Sequence, residues 1–423
     1  MRITFLALGT HGDVQPLLAL AVALQQTGRH RICFAAPDNF ESLVREYHLD
    51  FFPLGINTEH LIGTADLANG MESGRNFLPW FIQVLRAMRP MLALLMERTW
   101  LSCKDAETII YSYIGIGAYH VAEKGGVPCF MATSVPGLAP TRAYPNASGI
   151  FPPLPFGGGY SLLTYFLSKQ ILQALTGPFI NRWRRDKLHL SPIPFGQFPY
   201  TQLHGRPVPV LGGYSPLVVP KPSDWGEHIH VTGYWFLDPA SDWQPPVPLV
   251  EFLESSPPPV YVGFGSMANR NPRQTTRLVM DALDKSGQRG ILAAGWGGLH
   301  KSGLSANIFT LDAIPHAWLF PRVSAVVHHG GSGTTGAGLR AGVPAVLVPH
   351  IGDQPFWAQR VAELGVGPQA ISRRQLTALR LSEAIAKAIT DTDMRMRAAS
   401  LGKLIRTEDG IGNAVEIIEG WNH

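Results

Sequence analysis

Short apolar runs separated by segments of helical period recur along most of the chain, the pattern of strands buried on both faces alternating with crossover helices. Ile3 to Leu8 reads as a strand, followed by Gly9-Thr10-His11-Gly12-Asp13 and a helix from about Val14 to Thr27 that Gly28 closes. Residues 30–37, HRICFAAP, read as the second strand. The chain thus opens with a βαβ unit whose glycine turn lies at the carboxyl end of a strand, where open α/β sheets bind ligands. From Asn57 to Trp100 the pattern is helical and apolar, without regular alternation. Alternation returns at Thr108, where TII, a helical stretch and GVPCFMA are echoed later by AVV, a helical stretch and GVPAVLV. From strand end to proline is 18 residues in the first copy (Ile110 to Pro128) and 17 in the second (Val327 to Pro344), which predicts two similar α/β domains. Between them, residues 134–190 are rich in Pro, Gly and aromatics and then basic, and VTGYWFLDPASDWQPPVPL reads as a linker. SSPPPVYVGFGSM starts the second domain with a strand, RGILAAGWGGL and NIFTLDAIPHAWLFPRV supply further strands, and a last helix runs from about Asp409 to Trp421.

Only the second copy of the echo carries a turn built for an anion. The apolar strand Ala325 to Val327 empties into His328-His329-Gly330-Gly331-Ser332-Gly333-Thr334-Thr335 before a helix that ends at Gly342. Glycines at 330, 331 and 333 let the backbone approach a phosphate, and Ser332, Thr334 and Thr335 can cap the helix and donate hydroxyl bonds. Val343-Pro344 starts the next strand, and Asp353-Gln354 follows it, on the same rim as the cradle. A carboxylate beside a primary amide suits hydroxyl groups, since the first accepts and the second both accepts and donates. One rim therefore offers a diphosphate seat and a sugar seat. By position alone, Asp13 is a helix-start cap.

Composition narrows the class. At 423 residues, 45% hydrophobic and 16% charged, the chain suits a soluble protein of two domains. A net charge of +4 is small for this length and gives no reason to expect a nucleic-acid partner. Cys33, Cys103 and Cys129 sit in apolar contexts without metal-ligand spacing, so reduced buried thiols are expected. Met1-Arg2 leads straight into a strand and no run is long enough to span a bilayer, so the expected location is cytoplasmic, with peripheral membrane attachment open.

HHGGSGTTGAGLRAGVP followed by P-x-x-x-DQ-x-x-W resembles the donor-binding signature of nucleotide-sugar glycosyltransferases, nearest to the sterol glucosyltransferase branch, and GYWF followed by PPVYVGFGSM resembles the same branch. The resemblance covers the second domain and the first forty residues well and the region between them loosely. It implies an α/β fold of the GT-B type, two Rossmann-like domains facing each other across a cleft. The implied domains are 1–235 for the acceptor, 236–405 for the nucleotide sugar, and a helix at 406–423 crossing back to the first. GTHGDVQP looks like the G-S-x-G-D-x-x-P element, in which the Asp is the catalytic base, so the resemblance makes Asp13 the base and puts Thr10 and Gly12 at the donor. His11 departs from that pattern; it touches phosphate or merely packs. Gly265, Ser266, His329, Gly331, Ser332, Gly333 and Thr334 are then the diphosphate seat, and Asp353 and Gln354 the sugar seat. Ile314 and Pro315 occupy the place where relatives hold the nucleotide base. Ala313 and Ala317 depart from residues common there, which leaves the base to backbone groups and Trp296.

The implied reaction is inverting transfer of a hexose, glucose first, from a UDP-sugar to the hydroxyl of a lipophilic acceptor, sterol-like or terpenoid, with no cofactor and no metal. A TDP- or UDP-sugar donor with a polyketide, flavonoid or antibiotic aglycone is the alternative within the family. Outside it stand a nucleotide-sugar epimerase and a non-catalytic two-lobed binding protein. Asp391-Thr392-Asp393 has the D-x-D spacing that holds a divalent ion in other glycosyltransferases, but between two helical segments it reads as a cap. Arg182, Arg184, Arg185 and Lys187 close an apolar helical segment and offer a contact with an anionic membrane surface; a solvated helix end is the plainer reading.

Overall fold

The computed structural model describes residues 1–62, 82–83, 86, 89–137, 139–148, 151, 154, 156–239, 243–255, 257–265, 272–293, 306–312 and 314–421. The chain divides into two compact units. The first holds Met1–Thr58, Phe81–Leu237 and Asp409–His423; the second holds Glu59–Trp80 and Asp238–Glu408. The boundaries fall two and three residues beyond the sequence-derived 235 and 405.

Unit 1 is built on a parallel sheet of β1 (Arg2–Leu6), β2 (Arg31–Ala36), β3 (Asp50–Pro53), β4 (Thr108–Ser112), β5 (Cys129–Thr133), β6 (Val210–Gly212) and β7 (Ile229–Val231), in the order β3-β2-β1-β4-β5-β6-β7. Its central strands are buried along their length, as parallel strands covered on both faces must be: every residue of β4 and β5 is buried. Helix α1 (His11–Gln26) follows β1, α2 (Leu92–Cys103) precedes β4, and α3 (Gly117–Gly125) links β4 to β5. A long helix α4 (Gly157–Trp183) runs into a π-helical turn, Arg184–Leu188.

Unit 2 repeats the plan with β8 (Val260–Gly263), α5 (Pro272–Ser286), β9 (Gly290–Ala293), β10 (Ile308–Leu311), α6 (His316–Leu319), β11 (Ala325–His328), α7 (Ser332–Ala341), β12 (Ala345–Leu347), α8 (Gln354–Glu363), α9 (Ala378–Thr390) and α10 (Thr392–Ile405). Its sheet order, β10-β9-β8-β11-β12, is that of the first five strands of unit 1, and all pairings are parallel. The echo seen in the sequence is β4-α3-β5 against β11-α7-β12. Gly126 at φ +66° and Gly342 at φ +76° end the two helices at equivalent places, in the left-handed conformation a helix terminus favours.

Asp391 caps α10 by accepting from the Met394 amide at 2.9 Å, so that aspartate of the D-x-D triplet is spent on a helix start. The last helix, α11 (Gly410–Gly420), packs on unit 1. Trp235 Nε1 donates to the Gly410 carbonyl at 3.1 Å, Asn413 to Thr232 at 2.9 Å, and Glu419 pairs with Arg29 at 2.8 Å and His30 at 2.9 Å. Among the described residues no helix is long and apolar enough to cross a membrane.

Candidate active site

In both sheets the strand order reverses between the first and fourth strands of the unit, leaving a crevice at their carboxyl ends where no crossover helix can sit on both sides. In unit 1 the two strands are β1 and β4. The helix after β1 begins earlier than the sequence suggests, at His11, because Thr10 is an extended N-cap and Asp13 falls at the third helical position in a capping box. Asp13 Oδ2 accepts from the Thr10 amide at 2.8 Å and the Thr10 hydroxyl at 3.3 Å. Oδ1 has no hydrogen bond among the described residues. Burial pushes the carboxyl pKa up, and the two Thr10 bonds oppose that shift without cancelling it.

The backbone is shaped around this carboxylate. Gly9 sits at φ +131°, and a Cβ there would stand 2.2 Å from Asp13 Oδ2. Ser112, at the end of β4, holds the exit of β1 from across the crevice: its Oγ accepts from the Leu8 amide at 2.9 Å and donates to the Leu8 carbonyl at 3.2 Å. Pro16 has no amide hydrogen, so the Gly12 carbonyl loses its i to i+4 helical partner. The sequence marked Gly9 only as part of the turn and did not mark Ser112 at all. The cross-strand bond arises only when β1 and β4 are paired. His11 packs edge-on to Phe40 at 4.9 Å between ring centres, and desolvation lowers its pKa.

In unit 2 the crevice lies between β8 and β11. Gly265 leaves β8 at φ +61°, and His329 leaves β11. The His329 ring fills the space between Gly265 and Gly331: a Cβ at either would stand 2.8 Å and 2.6 Å from ring atoms. Gly330, at φ +91°, passes the start of α8, where a Cβ would meet the Gln354 carbonyl at 3.1 Å. The glycines of this turn therefore serve close packing of His329 and α8, while Gly333 faces open space.

Helix α7 starts at Ser332 with Gly331 as N-cap and no side-chain cap; the Thr335 hydroxyl bonds back to the Gly331 carbonyl at 2.9 Å instead. The expectation that Ser332, Thr334 and Thr335 cap the helix is corrected in that respect, since none stands at the cap position. The amides of the first turn, Ser332 to Thr334, have no carbonyl within the helix, the arrangement that receives an anion. His329 is a neutral imidazole, its pKa lowered to about 4 by desolvation and by the nearby His316. His328 is fully buried, and its Nδ1 accepts from the Gly330 amide at 3.1 Å.

Asp353 and Gln354 start α8 on the same rim. Asp353 Oδ2 accepts from the indole of Trp357 at 2.8 Å, and Trp357 is wholly buried. The carbonyl of Gln354 is turned inward, accepting from the amides of His350 at 2.7 Å and Ile351 at 3.1 Å. That oxygen clamps the loop after β12 and is not the acceptor for a sugar hydroxyl that the sequence led us to expect. Pro315 is the N-cap of α6, and Ile314 packs partly buried against the core. Ser266, Trp296 and Ala313 lie outside the described residues.

Residues 3–144 match the Glycosyltransferase family 28 N-terminal domain, and residues 294–408 match the Erythromycin biosynthesis protein CIII-like C-terminal domain. The sterol 3-beta-glucosyltransferase UGT80B1 of Arabidopsis thaliana is 36% identical over 430 residues, which are 98% of this chain and 67% of that protein. The chain belongs to the sterol 3-beta-glucosyltransferase family. A second member, from Cryptococcus neoformans, is 37% identical over 99% of this chain, which spans only 27% of its length. Among solved structures the glycotransferase of kitacinnamycin superposes with a TM-score of 0.72 at 18% identity, covering 99% of this chain and 98% of its own. CalG4, the calicheamicin glycosyltransferase, gives 0.68 at 18%, covering 99% and 97%. The fold is GT-B.

The first-domain match spans Asp13 and its supports, and the second-domain match spans the His329 turn. Within the basic cluster at the end of α4, the sequence reading is corrected at Arg184. Arg184 is buried, bonded to Glu123 at 3.0 Å and to His120 Nδ1 at 2.8 Å, and cannot reach a membrane, because the π-helical turn rotates it inward under α3. Lys187 pairs with Glu97 at 3.0 Å, whereas Arg182 and Arg185 remain on the surface. The three cysteines are free thiols, two of them buried.

Proposed function

We propose that the chain is an inverting glucosyltransferase moving glucose from UDP-glucose to the hydroxyl of a sterol-like alcohol. The observation that carries this reading is the 36% identity to a sterol glucosyltransferase along almost the whole chain, joined to a carboxylate held at the crevice of unit 1. In this reading Asp13 Oδ1 accepts the proton of the acceptor hydroxyl, and the oxygen attacks the anomeric carbon opposite the departing diphosphate. Oδ2, pinned by Thr10, keeps the carboxylate from rotating away. Positive charge spreads over the sugar ring in an oxocarbenium-like transition state while negative charge grows on the leaving group. The first-turn amides of α7 and the His329 imidazole take up that charge, so no bound metal is called for. Asp353 and Gln354 orient the sugar.

The acceptor assignment has support on the surface of unit 1. Helix α4 turns Ser161, Thr164, Tyr165, Ser168 and Ile180 inward and leaves Leu163, Phe166 and Phe179 outward, with Arg182 and Arg185 exposed near its end and sharing the single carboxylate of Asp186. An apolar face closed by exposed cations suits an anionic lipid surface, from which a sterol can be drawn. The cytoplasmic face of a membrane is the setting this implies.

The deciding experiment is turnover of UDP-glucose with sterol in liposomes, set against TDP-glucose and against flavonoid and polyketide aglycones. A β-linked steryl glucoside formed in the presence of a chelator is expected. Conversion of the nucleotide sugar without acceptor would replace this reading with an epimerase, and turnover only on hydrophilic acceptors would remove the sterol.

A further inference from the structure

The loop after β12 carries a second imidazole that the diphosphate seat described above does not use. The strands β8, β11 and β12 are neighbours in that order, with strands about 4.8 Å apart, so the exits of β8 and β12 stand roughly 10 Å from one another with the exit of β11 between them. Yet the ring of His350, three residues past β12, lies 5.9 Å from that of Phe264, one residue past β8. The His350 side chain therefore folds back over the exit of β11, the position of His329. The Gln354 carbonyl holds it there by gripping the His350 and Ile351 amides. Nδ1 of His350 and Nδ1 of His329 are both buried and have no hydrogen-bond partner among the described residues. The Nε2 edge of the His329 ring abuts Gly331, the N-cap of α7, its Nδ1 lies on the Gly265 side, and His350 stands close enough for the two charges to oppose one another.

We infer that His350 is a second imidazole of the anion seat and that the His329–His350 pair takes up a proton when a nucleoside diphosphate binds. The inference rests on the donor reading above and adds to it a residue and a linkage. Without ligand both rings are neutral: desolvation, then His329 and Arg373, opposed by a backbone bond to Val348, hold His350 at about 3, and desolvation, then His316, hold His329 at about 4. The titratable groups around the pair are His328 beside His329 in sequence, His316 on α6, Arg373 from the turn Arg373–Gln375, and Asp353, whose Oδ2 is engaged by Trp357. An arriving diphosphate reverses the sign of this surrounding, favouring the protonated imidazole. The complex then binds more protons than the free protein, and affinity rises as pH falls.

Titration calorimetry of UDP binding in two buffers of different ionisation enthalpy, repeated between pH 6 and 8, reads the proton count directly. His350→Asn and His350→Phe, the second keeping the ring contact with Phe264, are compared with wild type. The terminal phosphate of UDP titrates near neutrality in all of them and cancels in the difference. The expected result is a smaller proton uptake and a flatter pH dependence in both variants, with affinity reduced on the order of tenfold near pH 6. Equal uptake and equal slope in wild type and either variant that melts normally would overturn the inference. So would a wild type with no uptake beyond that of UDP itself. Absence of binding by UDP or TDP at any pH would instead overturn the donor reading, and this proposal with it.

Discussion

Asp13 illustrates how one residue is assembled from several. Its position three residues after Thr10 makes it a cap, and the same two Thr10 bonds that cap the helix aim the other carboxylate oxygen outward. Asp13→Asn keeps the size and the cap acceptor but takes no proton. Turnover should fall by a factor on the order of 10² to 10⁴ while UDP affinity and melting temperature stay near wild type, as steady-state kinetics beside calorimetry will test. Thr10→Val removes a bond that lowers the carboxyl pKa, leaving desolvation less opposed. A base must be ionised to act, so the acid limb of the pH profile of kcat/KM should move to higher pH; an unmoved limb would detach Thr10 from the base. Gly9→Ala places a methyl against Asp13 Oδ2 and strains a φ of +131°, so its activity loss should exceed its loss of stability, about 1 to 3 kcal/mol by denaturant titration.

At the scale of elements, the long helix α4 is fastened to the sheet by a buried ionic knot. Arg184 reaches under α3 to Glu123 and His120, and His120 in turn lies 3.3 Å from the Tyr200 hydroxyl. Burial alone would raise the Glu123 carboxyl, but the hydrogen bonds and the charge of Arg184, with His120 beside it, override that and hold the pKa at about 2, below its ordinary 4.5. A depressed carboxylate contributes stability above its unfolded value and loses it as pH falls through the folded one. Wild-type stability should therefore decline between about pH 4.5 and 2 in part through this group. Glu123→Gln should flatten that part of the acid decline and, by stranding Arg184, destabilise the protein at pH 7 by on the order of 3 kcal/mol. Urea unfolding at a series of pH values measures both. The buried face of α4 mixes Ser161, Thr164 and Ser168 with Tyr165 and Ile180 while Leu163, Phe166 and Phe179 stay exposed, so a hydrophobic period does not locate it.

At the scale of the molecule, the last helix belongs to a unit whose other segments end at Leu237, and a few specific bonds hold it there: Trp235 to Gly410, Asn413 to Thr232, Glu419 to Arg29 and His30. A chain ending at Glu408 should show a lowered first thermal transition for unit 1 and unchanged UDP binding by unit 2. Loss of UDP binding as well would mean that the helix supports both. The repeated strand order of the two units was legible in the sequence as the echo of TII and GVPCFMA in AVV and GVPAVLV, since buried parallel strands and glycine-ended helices leave a local record. Local chemistry likewise marked the His329 turn and Asp13, because an anion seat at a helix start and a capped carboxylate are built from consecutive residues. Residues distant in the chain were beyond its reach. Ser112 meets Leu8 only because β1 pairs with β4, and His350 folds over His329 only because β12 pairs with β11. Arg184 turns inward only because α3 offers it a carboxylate. Each of these depends on strand pairing or helix packing between distant segments, and it is there that desolvation and partner charges, set by the tertiary structure, decide which polar groups are spent and which remain open to a ligand.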